Sequence, residues 1–355
     1  MISRIALLAS LGLVTACASM DPNKDLPKVM PLAETEEVAS TGDAADDPAI
    51  WVNPDSPEES RVLGTDKQAG LYVYDLSGKS VQFLPKGELN NVDLRQGVDF
   101  GTGELVDLAA ATNRSINGVS LFLLNAEGVV SEAGDFSVPT TEPYGLCVGY
   151  DQHGYRVFVT YKTGEVEIHT VSKSSAGLSG YEAELSNTLK LATQLEGCTY
   201  DEVQSVLFVG EEATGVWRIA LNGNEEIGRS MIDAVDSETG LVADVEGMDL
   251  WRGETNTGYL VVSAQEGDRY LIYERTIPNR WVATFAIDGT PDELIDGVSH
   301  TDGLTVTSSP LGPDFPQGML VVQDDSNGNK GQTQNFKFIS WADLLTALSA
   351  QKIAE

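Results

Sequence analysis

Short apolar runs rich in β-branched and aromatic residues recur from about Val38 onward, separated by Gly, Asn, Asp and Ser. No helical spacing interrupts them before Trp341. Such runs are strands of a sandwich, barrel or propeller. Six of them open on a polar residue, at Asp47, Asp93, Tyr144, Glu196, Glu246 and Asp302. The second, Asn91-Val92-Asp93-Leu94-Arg95, is the weakest match. The openings lie 46 to 56 residues apart, near the period of propeller blades.

Each opening run is followed by a second apolar run with a polar end. The ends are Lys67, Arg114 and Lys162 in units one to three, then Glu212, Gln265 and Asp324. A third run follows, as in Leu71-Tyr72-Val73-Tyr74 and Val216-Trp217-Arg218-Ile219. The expected fold is all-β, a six-bladed β-propeller with a ring of carboxylates at its central channel. Leu32–Val38 is expected to complete the last blade, and Trp341–Lys352 to form a short surface helix.

The N-terminus has a different pattern. Arg4 precedes the apolar stretch Ile5–Val14, which is too short to span a bilayer. Val14-Thr15-Ala16-Cys17 then reads as a lipobox. The organisation expected is a signal peptide over 1–17 with Cys17 lipidated, a tether over 18–31, and the propeller over 32–350. Ala18 and Ser19 favour the outer membrane, on its periplasmic or surface side; the protein is secreted if the lipobox is not used. The membrane is then touched only through lipid, and a monomer is expected. Cys147 and Cys198 remain, in successive repeats. Their opposite pleat faces suggest two small core residues rather than a bridge.

The chain has 355 residues and a formal net charge of −32. So negative a field argues against nucleic acid or an anionic membrane as a partner. The three His are not closely paired, and Gly-x-Ser-x-Gly is absent, which disfavours zinc and a serine nucleophile. In a propeller the openings come together at the channel. Carboxylates gathered there repel unless cations neutralise them. Oxygen ligands point to calcium or magnesium, and many carboxylates suit calcium better. Lys67, Arg114 and Lys162 would form a basic half-rim opposite, which together with cations suits a poly-phosphorylated substrate.

Asp46–Pro54 (DDPAIWVNP), Gly64–Gly78, NNVDLR at 90–95, AATNRS at 110–115, YGL at 144–146, LEG at 195–197, GEE at 210–212, DVEGM at 244–248, TDGL at 301–304 and Gly312–Asp325 resemble the β-propeller phytases. The resemblance spans about Gly42 to Trp341. It implies a calcium-dependent 3-phytase that releases phosphate from myo-inositol hexakisphosphate (phytate) and lower inositol phosphates without a covalent intermediate. Carried over by position, Asp46, Asp47, Tyr144, Glu196, Glu212, Asp244, Glu246, Gln265 and Asp302 would hold active-site calcium, with Asp47, Glu196, Glu212, Glu246 and Asp302 the catalytic set. Lys67, Arg114, Tyr144 and Lys162 would bind substrate. Asp296, Asp324 and Asn327 would hold a structural calcium. Thr163 and Ser326 stand where the family commonly has acids. Two alternatives remain: a calcium propeller acting as a lactonase or phosphotriesterase, and a non-catalytic binding propeller.

Overall fold

The computed structural model describes residues 22–174, 180–328 and 333–354. The expected signal peptide, with Cys17, and the first part of the expected tether lie outside them. The strands form six sheets, antiparallel except for one short edge strand, each running from an innermost strand outward. The innermost strands are Ala45–Trp51, Leu89–Asp99, Leu146–Asp151, Leu195–Asp201, Val245–Arg252 and Leu304–Thr307. Each contacts the next, and the sixth returns to the first, so the ring is closed. This is the six-bladed propeller expected. Among the described residues no helix is long and apolar enough to cross a membrane.

Each blade has four strands or more, one beyond the three apolar runs. The additional outer strands in blades 3 and 4, Tyr181–Lys190 and Glu225–Ala234, are largely exposed. Blade 6 is completed by Ala33–Glu34, antiparallel to Asn335–Ser340, within the segment expected to close the ring. Residues within the expected tether pack onto the propeller. Lys28–Val29 pairs parallel with Trp281–Ile287 at the outer edge of blade 5, and Asn23 Nδ2 donates to Gly267 O at 2.7 Å. The C-terminal helix, Trp341–Ala354, buries Trp341 and Leu344 in the core between blades 5 and 6.

Strand alternation explains the packing. In blade 1, Leu63, Leu71 and Val73 face blade 2, while Val62, Tyr72 and Tyr74 face blade 6. The same division places one apolar cluster in each of the six blade interfaces. Burial of these side chains, at about 25 cal/mol per Å² of apolar area, holds the ring together.

Facing blades correct the cysteine reading. Successive blades stack face to back, so side chains of opposite pleat parity meet across an interface. Cys147 of blade 3 and Cys198 of blade 4 therefore do meet, and they form a disulfide with a Cα–Cα distance of 5.5 Å.

Close packing gives a direct test. A Cβ added at Gly64 would lie 2.4 Å from the Phe336 ring across the blade 6–blade 1 interface. Gly64→Ala is expected to cost roughly 1–3 kcal/mol by overpacking, read as a lower urea midpoint. An unchanged midpoint would show that this interface yields freely.

Candidate active site at the channel mouth

The innermost strands deliver their polar residues through a shared backbone irregularity. The ladder slips between Ala45 and Pro48, Leu89 and Val92, Leu195 and Cys198, and Val245 and Met248. The bulged pairs are Asp46-Asp47, Asn90-Asn91, Glu196-Gly197 and Glu246-Gly247. A bulge re-aims side chains away from the regular pleat. Aligning the ladders on Pro48–Gly64, Val92–Ala111, Leu146–Val159, Cys198–Val209, Met248–Val262 and Leu304–Val322 gives the equivalent mouth positions. They are Asp46, Asn90, Tyr144, Glu196, Glu246 and Asp302.

This register corrects the sequence reading at three points. Asp46 rather than Asp47 occupies the blade 1 position. Asp47 turns inward, and its Oδ2 accepts the Val92 amide of blade 2 at 3.0 Å. Asn90 occupies the blade 2 position expected for Asp93. Asp93 lies further down its strand, ion-paired to Arg95 at 3.0 Å, and accepts the Val148 amide at 2.9 Å. At the ends of the second strands, Asp325 is equivalent to Lys67, Arg114, Lys162, Glu212 and Gln265, one residue beyond the expected Asp324.

The glycines after the mouth residues have a defined role. A Cβ at Gly197 would stand 2.1 Å from Glu246 O, and one at Gly145 would stand 2.0 Å from Glu196 O. Only a hydrogen lets adjacent mouths touch, as in the Gly247 N–H donated to Asp302 O at 2.7 Å. Thr160 Oγ1 also donates to Glu196 O, at 2.6 Å.

Two electrostatic poles result. On the blade 1 and 6 side, Lys67 Nζ lies 2.6 Å from Asp43, 3.0 Å from Asp46 and 2.6 Å from Asp302. Burial would lower the Lys67 pKa, but Asp46 and Asp302 outweigh it and the ammonium is held. Gln265 Nε2 donates to Asp302, and Arg114 donates to Lys67 O at 3.4 Å. Lys162 is exposed, with Nζ 4.2 Å from the centre of the Tyr144 ring. The three basic ends thus belong to consecutive blades of one rim.

On the blade 4 and 5 side, Glu196, Glu212 and Glu246 each offer an oxygen within 4.8 Å of the others, and all three are buried. Asn90 Nδ2 donates to Glu196 at 3.1 Å. Glu212 Oε1, Glu246 Oε2 and Asp46 Oδ2 are buried without a hydrogen-bond partner. Buried orphan oxygens of this kind call for a missing partner. Burial first, then Glu196, raises Glu212 to about 7 and pushes Glu246 well above the usual carboxylate range. Burial also raises Asp46 to about 6 against the pull of Lys67. Asp244 is half-buried beside this pole, its carbonyl accepting the Gln265 amide at 2.9 Å. A divalent cation fits the trio: hard oxygen donors, converging, and short of positive charge.

The second expected cation set is arranged differently. The buried Lys337 ammonium lies 2.5 Å from Asp296 and 3.3 Å from Asp324, and also contacts Glu34. Asn327 Nδ2 donates to Glu37 at 3.0 Å. Asp296 and Asp324 are therefore already ion-paired with a lysine, while Asp324 Oδ2 and Asn327 Oδ1 are buried without a hydrogen-bond partner. Asn90 and Asp43 are mouth residues that the sequence reading did not assign. Aligning the apolar runs instead of the acids would have found Asn90.

Fold and mouth define a β-propeller with a carboxylate pole beside a basic rim at one end of its channel. The family described as Phytase matches residues 2–353, and the chain belongs to this family of β-propeller phytases. It is 38% identical over 352 residues to a 3-phytase of Bacillus subtilis (strain 168), covering 95% of this chain and 90% of that protein.

The raised Glu212 pKa has a testable sign. Its folded value of about 7 exceeds the ordinary 4.5, so the folded state holds the extra proton. Stability from this group is complete below pH 4.5 and is lost as pH rises toward 7. In chelator, Glu212→Gln is therefore expected to be more stable than wild type at pH 7, by about 2 kcal/mol once the roughly 3 kcal/mol implied by the shift is discounted for solvent screening, the difference closing near pH 4.5. Urea titrations at both pH values check this. Equal stabilities at pH 7 would mean that the carboxylate is not strained.

Proposed function

We propose that the protein is a calcium-dependent phosphomonoesterase that hydrolyses phytate and lower inositol phosphates. Membership of the phytase family and the likeness to a named 3-phytase support the substrate class. The observation that carries the reading is the pairing of the Glu196–Glu212–Glu246 trio with Lys67, Arg114 and Lys162 on one mouth. A covalent nucleophile has no candidate in this set. A lactone or a neutral triester would have no use for three aligned cations.

Glu196, Glu212 and Glu246 would hold the cation, with Asp46, Asp302, Asp244 and Gln265 around them. Bound there, calcium would lower the pKa of a water and offset charge on phosphoryl oxygens. The protein's own side chains do the rest. Lys162 and Arg114 grip phosphate oxygens by charge-assisted hydrogen bonds. Tyr144 backs the Lys162 ammonium with its ring face and limits where it can point. Lys67 keeps Asp46 and Asp302 in place while presenting positive charge to the mouth. Water attacks phosphorus, the ester P–O bond breaks, and the inositol oxygen leaves with a proton taken from solvent or a mouth acid. The N-terminal lipobox extends the proposal to export and outer-membrane anchoring through Cys17.

Phosphate release from phytate, with calcium and with excess chelator, is the direct test. Activity should need calcium and return when calcium is restored. Glu212→Gln should lower kcat by roughly 100-fold or more. Lys162→Ala should act mainly on KM, raising it about 10-fold. Full turnover in chelator after dialysis would overturn the calcium assignment; wild-type kinetics in both variants would overturn the site.

A further inference from the structure

We propose that the Cys147–Cys198 disulfide positions Glu196 for its cation, acting on the metal site rather than only as a general crosslink. The proposal rests on the calcium reading above.

Blade 4 supplies two of the three clustered carboxylates, Glu196 and Glu212. Glu196 and Gly197 stand in a bulge, between the ladder pairs Leu195–Glu211 and Cys198–Val209. Cys198 is therefore the first ladder residue downstream of the bulge, and the disulfide anchors it to blade 3. Cys147 is also close to the mouth, three residues after Tyr144, where Cys198 is two after Glu196. The two blades touch there through backbone: Gly145 has no room for a Cβ against Glu196 O, and Thr160 Oγ1 donates to that same oxygen at 2.6 Å. A small parting of blades 3 and 4 would break this bond and move Glu196.

A force for such parting exists. Glu196 faces the buried carboxylates of Glu212 and Glu246, and without a cation their repulsion is relieved by moving apart. The bulges of blades 1, 2 and 5 have no covalent tie to a neighbour among the described residues. Blade 4, which supplies two of the three clustered carboxylates, has the bond. Holding ligands together before the cation arrives strengthens its binding, because the ordering cost is already met.

Linkage separates this role from crosslinking in general. A bond that only restricts the unfolded chain stabilises the metal-free and metal-bound forms equally. One that positions a ligand is coupled to calcium, so its removal costs more when calcium is bound. The test compares wild type with Cys147→Ala/Cys198→Ala by calcium calorimetry and by thermal unfolding, in chelator and in saturating calcium. The variant's calcium affinity is expected to fall roughly 10-fold, the low end for losing a group that orients metal ligands. Its Tm loss should be larger in calcium than in chelator. In a Glu212→Gln background the affinity difference should shrink.

Unchanged affinity with equal Tm losses would overturn the proposal, as would an affinity loss undiminished in the Glu212→Gln background. Should the double variant fail to fold, wild type reduced with a phosphine is titrated before and after reoxidation. Affinity must fall on reduction and return on reoxidation; constancy overturns the proposal. Absence of calcium binding by wild type would sink the calcium reading itself, a distinct result.

Discussion

Mutual repulsion among carboxylates at the channel mouth is the constraint that the rest of the structure answers. Two unit charges 4 Å apart interact by about 4 kcal/mol at an effective dielectric near 20. Asp46, Glu196, Glu212, Glu246 and Asp302 crowd one end of the ring with their carboxyl groups buried. The cylinder tolerates this because the apolar clusters between blades lie outside the mouth and hold the inner strands in place. On one side Lys67 sits among three acids and ion-pairs with each of them. On the other, two of the three clustered glutamates, Glu212 and Glu246, retain unpartnered buried oxygens. The imbalance gives the mouth its polarity. Charge is partly offset where the basic rim begins and left open at the glutamate trio.

The backbone makes the crowding possible. Bulges turn the mouth residues out of the pleat, and the following glycines let the next blade's carbonyl come within contact. Gly303 shows the limit: a Cβ there would meet Asp47 Oδ1 at 2.2 Å. Asp47 is thus part of the scaffold as well as a neighbour of the site. Its carboxylate takes a backbone N–H of blade 2 while Asp46, beside it, reaches Lys67. Two adjacent aspartates in one motif have separate tasks because a bulge points them in separate directions.

Much of this was legible in the residues. Apolar runs at a blade-like period announced the propeller, since a strand buried on both faces has no room for polar residues. The outer strands vary too much to show as a repeat: Trp281–Ile287 buries Phe285 and Ile287, whereas Glu225–Ala234 has neither an apolar run nor a clean alternation. Glu196, Glu246 and Asp302 were found at their openings, and Lys67, Arg114 and Lys162 at their strand ends. Asp93 was misplaced because alignment on acids slid the second unit by three residues relative to its ladder. A bulge adds a residue without any mark in composition, so register was the least readable quantity. The disulfide was missed for a related reason: pleat parity was compared as if within one sheet, whereas facing blades present opposite faces. The pairing of Lys337 with Asp296 and Asp324 joins distant segments, and no local pattern signals it.

The net charge of −32 completes the electrostatic picture. A polyanion approaching such a body is repelled at long range, so steering by the whole protein works against a phosphate-rich substrate. Three basic residues on one rim act only within about 8–10 Å at physiological salt. An acidic enzyme can still capture a polyphosphate if the substrate arrives with its charge largely neutralised by divalent cations. Under the calcium reading, the same ion then serves twice, screening the encounter and filling the carboxylate pole. The open half of the mouth and the negative surface are in that case one adaptation. A protein positive enough to attract free phytate would also repel the cations that its glutamate trio requires.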